Sequence, residues 1–405
     1  MKNNSTRIHV NELRLGMYIS ELDMPWEKSP FKVHGFFILK REELAEIQAC
    51  STYVYIDVEK QKRQFGAIPT KLTDKRNRVD FHKAFGKAAE SYRHTHTLVK
   101  NVMADIRFGH QLNTKVVKEA VSECVDKVLD HPDTMLLLTQ LKNMDEYTSE
   151  HSINVCILSI LLGKQLNYSP ADLNTVGLCG LLHDMGKSKI PLEILNKPGR
   201  LLPDEMIIMQ SHPELGREIL MMTADISQEA IDAAYSHHER LNGSGYPRGL
   251  QSSAMSTLTK IVTIADTYDA ITSDRVYQEG KLHLEAIKIL AQARNTDFDN
   301  DLVIKFADCI GIYPVGNPIQ MTNGEVGMII ESNPDNKLKP KVLLLLDAQK
   351  KPRQEKLIDT ADSTLVDENG EPYKLGKVIK QHAYGLNLRK YHDNGTLSRL
   401  ITQGK

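Results

Sequence analysis

Five histidines and two aspartates in the middle of the chain are of the residue types that bind metal ions. Their imidazole nitrogens and carboxylate oxygens, without a thiolate, suit iron, manganese, zinc or cobalt. Such a set is also compatible with two ions bridged by a carboxylate. The residues are His151, His183, Asp184, His212, His237, His238 and Asp266. We assign no function to the other histidines, because they lack neighbouring candidate ligands. The pattern predicts a metal centre.

The apolar residues around these side chains place them in the protein interior. His151 shares a helix face with apolar residues four, seven and eleven positions later, and Asp184 closely follows a five-residue apolar run. Asp266 also shares a helix face with apolar residues. A buried imidazole or carboxylate needs a partner or a metal ion to offset its lost hydration. His237 and His238 are adjacent, so both can reach one ion only where the chain turns, and a glycine-rich segment follows them.

The apolar pattern divides the chain into regions of different fold class. Residues 81–315 carry apolar residues at three- and four-residue spacing, which predicts an all-α domain. Residues 1–62 mix short β-like runs with one helical stretch and predict a small α+β domain. Residues 316–405 contain two strand-like runs, Gly327–Ile330 and Val342–Leu346, and predict a small β appendage with a polar tail. The chain is therefore predicted to be an α+β multidomain protein, mainly an α-helical bundle.

A basic segment over residues 63–80 separates the first two regions and predicts a solvated linker. An RNA-binding arm is the alternative, but the segment has almost no aromatic residues to stack on bases. The 405 residues carry a formal net charge of -1, so no global charge attracts nucleic acid. The five cysteines form no CxxC pair, and no apolar run approaches the ~18 residues that span a bilayer. These features predict a cytoplasmic protein with no nucleic-acid polymer partner and no membrane insertion.

Segments that contain the candidate ligands together resemble the HD-GYP family, a branch of the HD-domain metal phosphohydrolases. They are His183-Asp184 with Lys187, His237-His238-Glu239 followed by Gly243-Ser244-Gly245-Tyr246-Pro247, and Ile264-Ala265-Asp266-Thr267-Tyr268-Asp269-Ala270. Segments 147–155, 194–199 and His212-Pro213 also resemble the family in the same order, so the resemblance covers roughly residues 140–315. Residues 13–19 are similar to the small domain that often precedes HD-GYP in bacterial proteins. The resemblance implies that the helical region is an HD-type bundle.

The resemblance also implies an activity and a cofactor. HD-GYP proteins are bacterial phosphodiesterases that linearise cyclic dinucleotides, chiefly cyclic di-GMP to pGpG and sometimes onward to GMP, and some act on cyclic GMP-AMP. By this resemblance all seven candidate residues are ligands of two divalent metal ions, with Asp184 bridging them. Iron or manganese is favoured, while zinc, cobalt and nickel stay open. Tyr147 stands where members with three metals have a glutamate, which favours two ions.

Residues that contact the substrate are implied in the same way. Lys187 is implied to act in catalysis beside Asp184, by contacting the phosphate and the leaving oxygen. The turn that forms a lip near the substrate consists of Gly243, Gly245, Tyr246 and Pro247. Arg275 is implied to grip a phosphate. Gln278 stands where the family usually has arginine or lysine, and the missing cation predicts weaker binding or a different choice among dinucleotides.

The leading hypothesis is a metal-dependent phosphodiesterase of cyclic dinucleotides in bacterial second-messenger signalling, with an N-terminal domain that regulates it or mediates dimerisation. Two alternatives stay open: a non-catalytic cyclic dinucleotide receptor that signals through protein contacts, and a broader HD-type nucleotide phosphohydrolase. The intact ligand set and Lys187 argue against the receptor. The broader phosphohydrolase would leave the Gly-Tyr-Pro segment without a role. A homodimer and contacts with other signalling proteins are also compatible with the sequence.

Overall fold

The described residues of the computed structural model fall in two compact units, Met1–Arg78 and Val79–Lys405. The residues described are 5–10, 13, 17–24, 26, 29–31, 35–38, 41–57, 80–140, 147–274, 279–333, 335–380 and 383–386. None of the helices in these ranges is both long enough and apolar enough to cross a membrane.

The N-terminal unit is a small sheet with one helix. Its antiparallel strands are β1 (Ser5–His9), β2 (Tyr18–Leu22), β3 (Phe36–Phe37) and β4 (Tyr53–Asp57), in the order β1-β4-β2-β3. Helix α1 (Arg41–Cys50) precedes β4. The core of this unit includes Ile19, Ile38, Ile47, Val54 and Ile56, all nearly or fully buried. Strand β4 alternates between core and surface because side chains on a strand point to opposite faces.

The second unit is mainly helical. Its helices are α2 (Asp80–Arg107), α3 (Thr114–Asp130), α4 (Pro132–Thr139), α5 (Tyr147–Gln165), α6 (Pro170–Leu182), α7 (Leu192–Leu195), α8 (Pro203–Gln210), α9 (His212–Met221), α10 (Gln228–Ser236), α11 (Thr257–Thr272), α12 (His283–Gln292) and α13 (Asn300–Ile310). Two 3₁₀ segments, Met185–Lys189 and Ser252–Ala254, lie between them. Together with the strands of both units, they confirm the predicted α+β fold class and its mainly helical content.

Helices α5 and α6 form the centre of the bundle. Every residue from 151 to 163 is buried, as expected of a helix that other elements surround. Helix α6 begins at a capping box between Ser169 and Asp172 and has Pro170 in its first turn, a combination that favours a helix start. At Gly180 a Cβ would lie 2.9 Å from the Cα of Cys156, so the two helix backbones approach too closely for any larger residue. This close packing holds the end of α6 against α5.

A five-stranded antiparallel sheet follows the helices. Its strands are β5 (Pro318–Met321), β6 (Val326–Glu331), β7 (Lys341–Leu346), β8 (Pro352–Asp359) and β9 (Leu375–Val378), in the order β8-β7-β6-β5-β9. The runs predicted as strands coincide with β6 and β7, which are almost wholly buried. Strands β8 and β9 lie in the region predicted as a polar tail. They are the two edge strands and expose many of their side chains, so they lack an apolar run that a sequence pattern would detect.

Candidate metal centre

The structure brings all seven candidate ligands to one place in the helical bundle. His151 lies on α5, His183 and Asp184 directly follow the last residue of α6, and Asp266 lies on α11. The remaining three are His212, the first residue of α9, and His237 and His238, which directly follow α10. His238 is half-buried and the others are buried. Five helices or helix ends therefore converge on one polar cluster inside an apolar bundle.

Asp184 lies at the middle of this cluster, and its two carboxylate oxygens face different histidines. Its Oδ2 atom lies 3.3 Å from Nε2 of His183 and 3.6 Å from Nε2 of His151. Its Oδ1 atom lies 3.3 Å from Nε2 of His212 and 3.6 Å from Nε2 of His237. A carboxylate that serves two ions needs this arrangement, with one group of nitrogens on each side.

Two three-residue groups lie around Asp184, and within each of them the donor atoms are within 4.8 Å of one another. One group consists of His212, His237 and His238. The other consists of His151, His183 and Asp266. In the second group, Oδ1 of Asp266 lies 3.0 Å from Nε2 of His151. Each group offers three donors, and Asp184 can supply a fourth donor to both.

Three imidazoles use Nδ1 for a hydrogen bond to a backbone carbonyl and direct Nε2 into the cluster, where Nε2 of His212 lies 3.2 Å from Nε2 of His237. Nδ1 donates to the carbonyl oxygen of Gly180 in His183 (2.7 Å) and of Met209 in His212 (2.7 Å). In His237, Nδ1 donates to the carbonyl of Ala234 (3.0 Å). In all three rings Nδ1 faces a carbonyl and Nε2 faces Asp184, so Nε2 is the nitrogen that can offer a lone pair to a cation. A backbone carbonyl that orients a ligand histidine in this way is common at metal sites.

Two buried atoms of the cluster show directly that the residues fit a metal ion. Nε2 of His183 and Oδ1 of Asp184 have no hydrogen-bond partner among the described residues. A buried nitrogen lone pair facing a buried carboxylate is unfavourable unless a cation lies between them. The donor set of imidazoles and carboxylates suits a borderline divalent ion. These clusters can therefore hold metal, as the HD domain family requires.

The electrostatics of the cluster also favour a cation. Burial would raise the pKa of Asp184, but His183 and Lys187 outweigh it and hold this pKa well below its usual value. Burial would lower the pKa of His151, but Asp266 and Asp269 outweigh it and raise this pKa to about 9. Without a metal ion, His151 thus keeps a proton that balances the carboxylates. Burial lowers the pKa of His237 to about 4, so that ring is neutral.

Asp269 is a buried carboxylate whose role the sequence pattern did not predict. Its Oδ2 atom lies 2.7 Å from Nδ1 of His151, and its Oδ1 atom accepts a hydrogen bond of 3.1 Å from Asn154. It therefore orients His151, as the backbone carbonyls orient the other rings. The available signal was its position three residues after Asp266, which places both carboxylates on one face of α11.

Lys187 lies beside the centre, in the 3₁₀ segment. Its ammonium is 2.6 Å from Oδ2 of Asp184, and its side chain is 19% exposed. A side chain with this partial exposure can reach both the buried carboxylate and a ligand entering from solvent. The structure therefore places the residue predicted to contact the phosphate next to the predicted bridging carboxylate.

The Gly-Tyr-Pro turn lies against the same centre. The ring of Tyr246 stacks on His238, with centroids 4.7 Å apart and planes at 24°. The buried carboxylate of Glu239 accepts backbone N–H groups of Arg248 at 2.7 Å and Leu250 at 2.9 Å, which holds the chain after Pro247. Gly245 packs so closely on the backbone of residues 238–240 that a Cβ would clash.

Of the other predicted substrate-contacting residues, Gly243 is described and Arg275 and Gln278 are not. Gly243 has φ 79°, a conformation that favours glycine. Arg275 and Gln278 lie outside the described residues, so their predicted contacts with substrate stay predictions. Tyr147 is the first residue of α5, and the structure does not describe its side chain.

The chain matches two families and several characterised proteins. Residues 134–302 match the HD domain, and residues 5–117 match a domain of unknown function, DUF3391. A cyclic di-GMP phosphodiesterase of Pseudomonas aeruginosa is 34% identical over 366 residues, which cover 87% of this chain and 88% of that protein. A 3'3'-cGAMP-specific phosphodiesterase of Vibrio cholerae is 38% identical over 154 residues, covering 38% of this chain and 35% of that protein. A solved HDG"Y"P protein from Bdellovibrio bacteriovorus is 21% identical and covers 75% of this chain and 99% of that one, with a TM-score of 0.43.

The long match and the motifs agree on one family. The match to the Pseudomonas protein extends over most of both chains, and the HD domain match includes all seven candidate ligands. The His-Asp pair that follows α6 and the Gly-Tyr-Pro turn that follows the paired histidines are the two signatures from which such proteins take their name. The chain belongs to the HD-GYP family.

Proposed function

We propose that this protein is a metal-dependent phosphodiesterase that hydrolyses cyclic dinucleotides in bacterial second-messenger signalling. Cyclic di-GMP is the main candidate substrate, and its hydrolysis gives pGpG and then GMP if hydrolysis continues. Cyclic GMP-AMP is the other candidate substrate. The observation that carries the proposal is the pair of three-residue donor groups on the two sides of Asp184. The length of the match to a cyclic di-GMP phosphodiesterase supports the choice of first substrate, and the shorter match to a cGAMP-specific phosphodiesterase supports the second.

The residues of the centre would hold two divalent metal ions, with iron or manganese favoured by the donor set and zinc, cobalt or nickel left open. His212, His237, His238 and Asp184 would hold one ion. His151, His183, Asp266 and Asp184 would hold the other. Divalent ions bound there supply Lewis acidity toward a phosphate and lower the pKa of a water.

The chain's own residues then orient the substrate and handle charge. The ammonium of Lys187 lies 2.6 Å from Oδ2 of Asp184, so its flexible side chain could also bind a phosphate oxygen of a substrate held there. There it can donate a hydrogen bond to the oxygen that leaves when the phosphodiester opens. Arg275 would bind a phosphate through its guanidinium, and Gln278 could offer only a neutral amide.

The Gly-Tyr-Pro turn would shape the substrate side of the centre. Tyr246 covers one face of His238 and thereby limits the positions that this ring can adopt. Gly243, Gly245 and Pro247 would form the lip beside which the substrate enters. The buried Glu239 stabilises this lip from behind through two backbone N–H groups.

Product analysis tests the activity. The full chain, loaded with iron or manganese, is incubated with cyclic di-GMP and with cyclic GMP-AMP, and the products are separated by chromatography. We expect linear dinucleotides from wild-type protein and none from Asp184→Ala. Tight binding without cleavage by fully loaded protein would support the receptor alternative. Hydrolysis of nucleoside phosphates but not of either dinucleotide would support the broader phosphohydrolase.

Elemental analysis tests the number of ions. We expect two per chain, because Asp184 can bridge two groups of ligands and Tyr147 supplies no further carboxylate. Asp184→Ala should lose metal and activity together, since it removes a ligand from both ions. A stoichiometry near one or three in well-loaded wild-type protein would contradict this assignment.

A further inference from the structure

The 3₁₀ segment Met185–Lys189, which carries Lys187, is held between two helices. On one side it packs against α9, where a Cβ at Gly186 would clash with the carbonyl oxygen of His212 and the backbone nitrogen of Gly216. This close backbone packing fixes the position of the start of the segment. On the other side it meets the C-terminal end of α2, and there the contacts are hydrogen bonds from charged side chains.

Arg107, the last residue of α2, donates to two backbone carbonyls of this segment and its continuation. Its Nη1 atom lies 2.9 Å from the carbonyl oxygen of Ile190, and its Nη2 atom lies 3.3 Å from that of Lys187. The planar guanidinium presents several N–H groups in a fixed geometry, so one arginine can bind both carbonyls. One of the two carbonyls belongs to the catalytic lysine of the proposed mechanism.

A second contact runs in the opposite direction. Nζ of Lys189 lies 2.6 Å from the carbonyl oxygen of Ile106, in the last turn of α2. The last carbonyls of a helix have no partner within the helix, and the negative end of the helix dipole favours a cation there. Arg107 and Lys189 thus connect the two elements reciprocally. We call these hydrogen bonds the α2 clasp.

We propose that the α2 clasp positions Lys187 for the reaction, so that Arg107 is a positioning residue of the active site. The proposal rests on the proposed function. The side chain of Lys187 has four rotatable bonds, and the place of its ammonium depends on a backbone that the clasp holds at residue 187 itself. Arg107 acts through this backbone, because it binds the carbonyl group and leaves the ammonium free to move.

The clasp also connects the two family matches. Arg107 lies in the region 5–117 that matches the domain of unknown function, whereas Lys187 lies in the HD domain match, 134–302. The HD domain match alone therefore omits a residue that binds its catalytic segment. Helix α2 supplies this residue across 80 positions of sequence.

Kinetics of full-length variants test the clasp. Arg107→Met should lower kcat for cyclic di-GMP by about tenfold to a hundredfold, the effect of a catalytic group displaced by about 1 Å. KM should stay within about twofold and two metal ions should remain bound, because no ligand is altered. Arg107→Lys should keep more activity than Arg107→Met, since its single ammonium can still bind one of the two carbonyls. Lys189→Met should lower kcat in the same direction by less.

Lys164→Met is the matched control. Nζ of Lys164 donates to the carbonyls of Val128 at 3.1 Å and Leu129 at 3.2 Å, in the last turn of α3, so it makes the same kind of contact as Lys189 away from the 3₁₀ segment. We expect its kcat to equal that of the wild type at comparable thermal stability. A loss of kcat in Lys164→Met as large as that in Arg107→Met would overturn the proposal, as would unchanged kcat in Arg107→Met.

Hydrogen exchange gives a readout that does not depend on activity. In the metal-loaded full chain, amides of residues 185–190 should exchange faster in Arg107→Met and Lys189→Met than in wild type, and at the wild-type rate in Lys164→Met. Unchanged exchange in Arg107→Met refutes the clasp even if no substrate is cleaved. Wild-type protein that is fully loaded but inert toward cyclic dinucleotides counts against the proposed function, and the exchange rates then still decide on the clasp.

Discussion

Replacing Asp269 with asparagine should weaken metal binding, although the two side chains have almost the same shape. Asp269 accepts hydrogen bonds at both oxygens, from His151 at Oδ2 and from Asn154 at Oδ1. Asparagine has one acceptor and one donor at these positions. If the side-chain nitrogen of the new asparagine faces Asn154, two N–H donors face each other and neither has an acceptor. If its nitrogen faces His151, Nδ1 of that ring must become the acceptor, and the proton then moves to Nε2, where it blocks the metal.

The expected size of this effect follows from the position of Asp269. Loss of a residue that orients a metal-bound histidine typically costs 10–100-fold in metal affinity, or about 1.4 to 2.7 kcal/mol. Asp269 is 1% exposed, so water cannot replace either hydrogen bond easily. We therefore expect the dissociation constant for manganese to rise by at least about tenfold in Asp269→Asn.

A competition titration measures this change. Metal-free wild-type and variant chains are titrated with manganese in the presence of a chelating dye, and circular dichroism confirms that the variant is folded. Asp133→Asn is the matched control, because the carboxylate of Asp133 accepts hydrogen bonds from the backbone and hydroxyl of Ser332, at the sheet. Wild-type affinity in folded Asp269→Asn, or an equal loss in Asp133→Asn, would refute the role assigned to Asp269.

Three further predictions concern the substrate, the domain boundary and the response to pH. Gln278→Arg should lower KM for cyclic di-GMP by up to about tenfold, because one charge-assisted hydrogen bond is worth roughly 1.4 kcal/mol more than a neutral one. Arg275→Ala should raise KM more than Gln278→Ala does. Steady-state kinetics on variants of verified metal content measure both effects, and an unchanged KM in Gln278→Arg would refute the prediction. A fragment that begins near residue 78 keeps α2 and all seven candidate ligands, so it should bind metal and turn over substrate, and a folded, loaded but inert fragment would show that the N-terminal unit completes the site. Burial lowers the pKa of His283 to about 4, so the unfolded chain binds more protons between pH 6.5 and 4 and stability should fall as pH drops through this window. The loss of unfolding free energy is about 3 kcal/mol at most. Between pH 6.5 and 4 the melting temperature of the wild type should therefore fall more steeply with decreasing pH than that of His283→Gln. Equal slopes of melting temperature against pH would contradict the assignment.

The apolar periodicity of the sequence was sufficient to predict the mainly helical fold, and it indicated which candidate metal ligands are buried. A buried helix such as α5 can carry His151 on an apolar face only if the imidazole has a partner, so the position of this residue implies its chemistry. The same logic identified Asp184 and Asp266. Strands β6 and β7 were also predicted, because buried strands consist of apolar runs that are visible in the sequence.

Contacts made by the backbone, or between distant residues, left no such signal. The carbonyls that orient His183, His212 and His237 belong to residues whose side chains are unrelated to the site. Arg107 binds backbone groups of a segment far along the chain, and any sequence supplies those carbonyl oxygens. Strands β8 and β9 are stabilised by pairing at the edges of a sheet, which requires little apolar character.

The most direct test of the metal-dependent activity is turnover of cyclic di-GMP while metal is titrated into metal-free, full-length protein. Metal bound per chain is determined in parallel at each point. The two donor groups around Asp184 predict that turnover increases until two ions are bound and then stays constant, and that Asp184→Ala stays inactive throughout. Full turnover by metal-free protein, or no turnover after two ions have bound, would contradict the proposal that this centre hydrolyses cyclic dinucleotides.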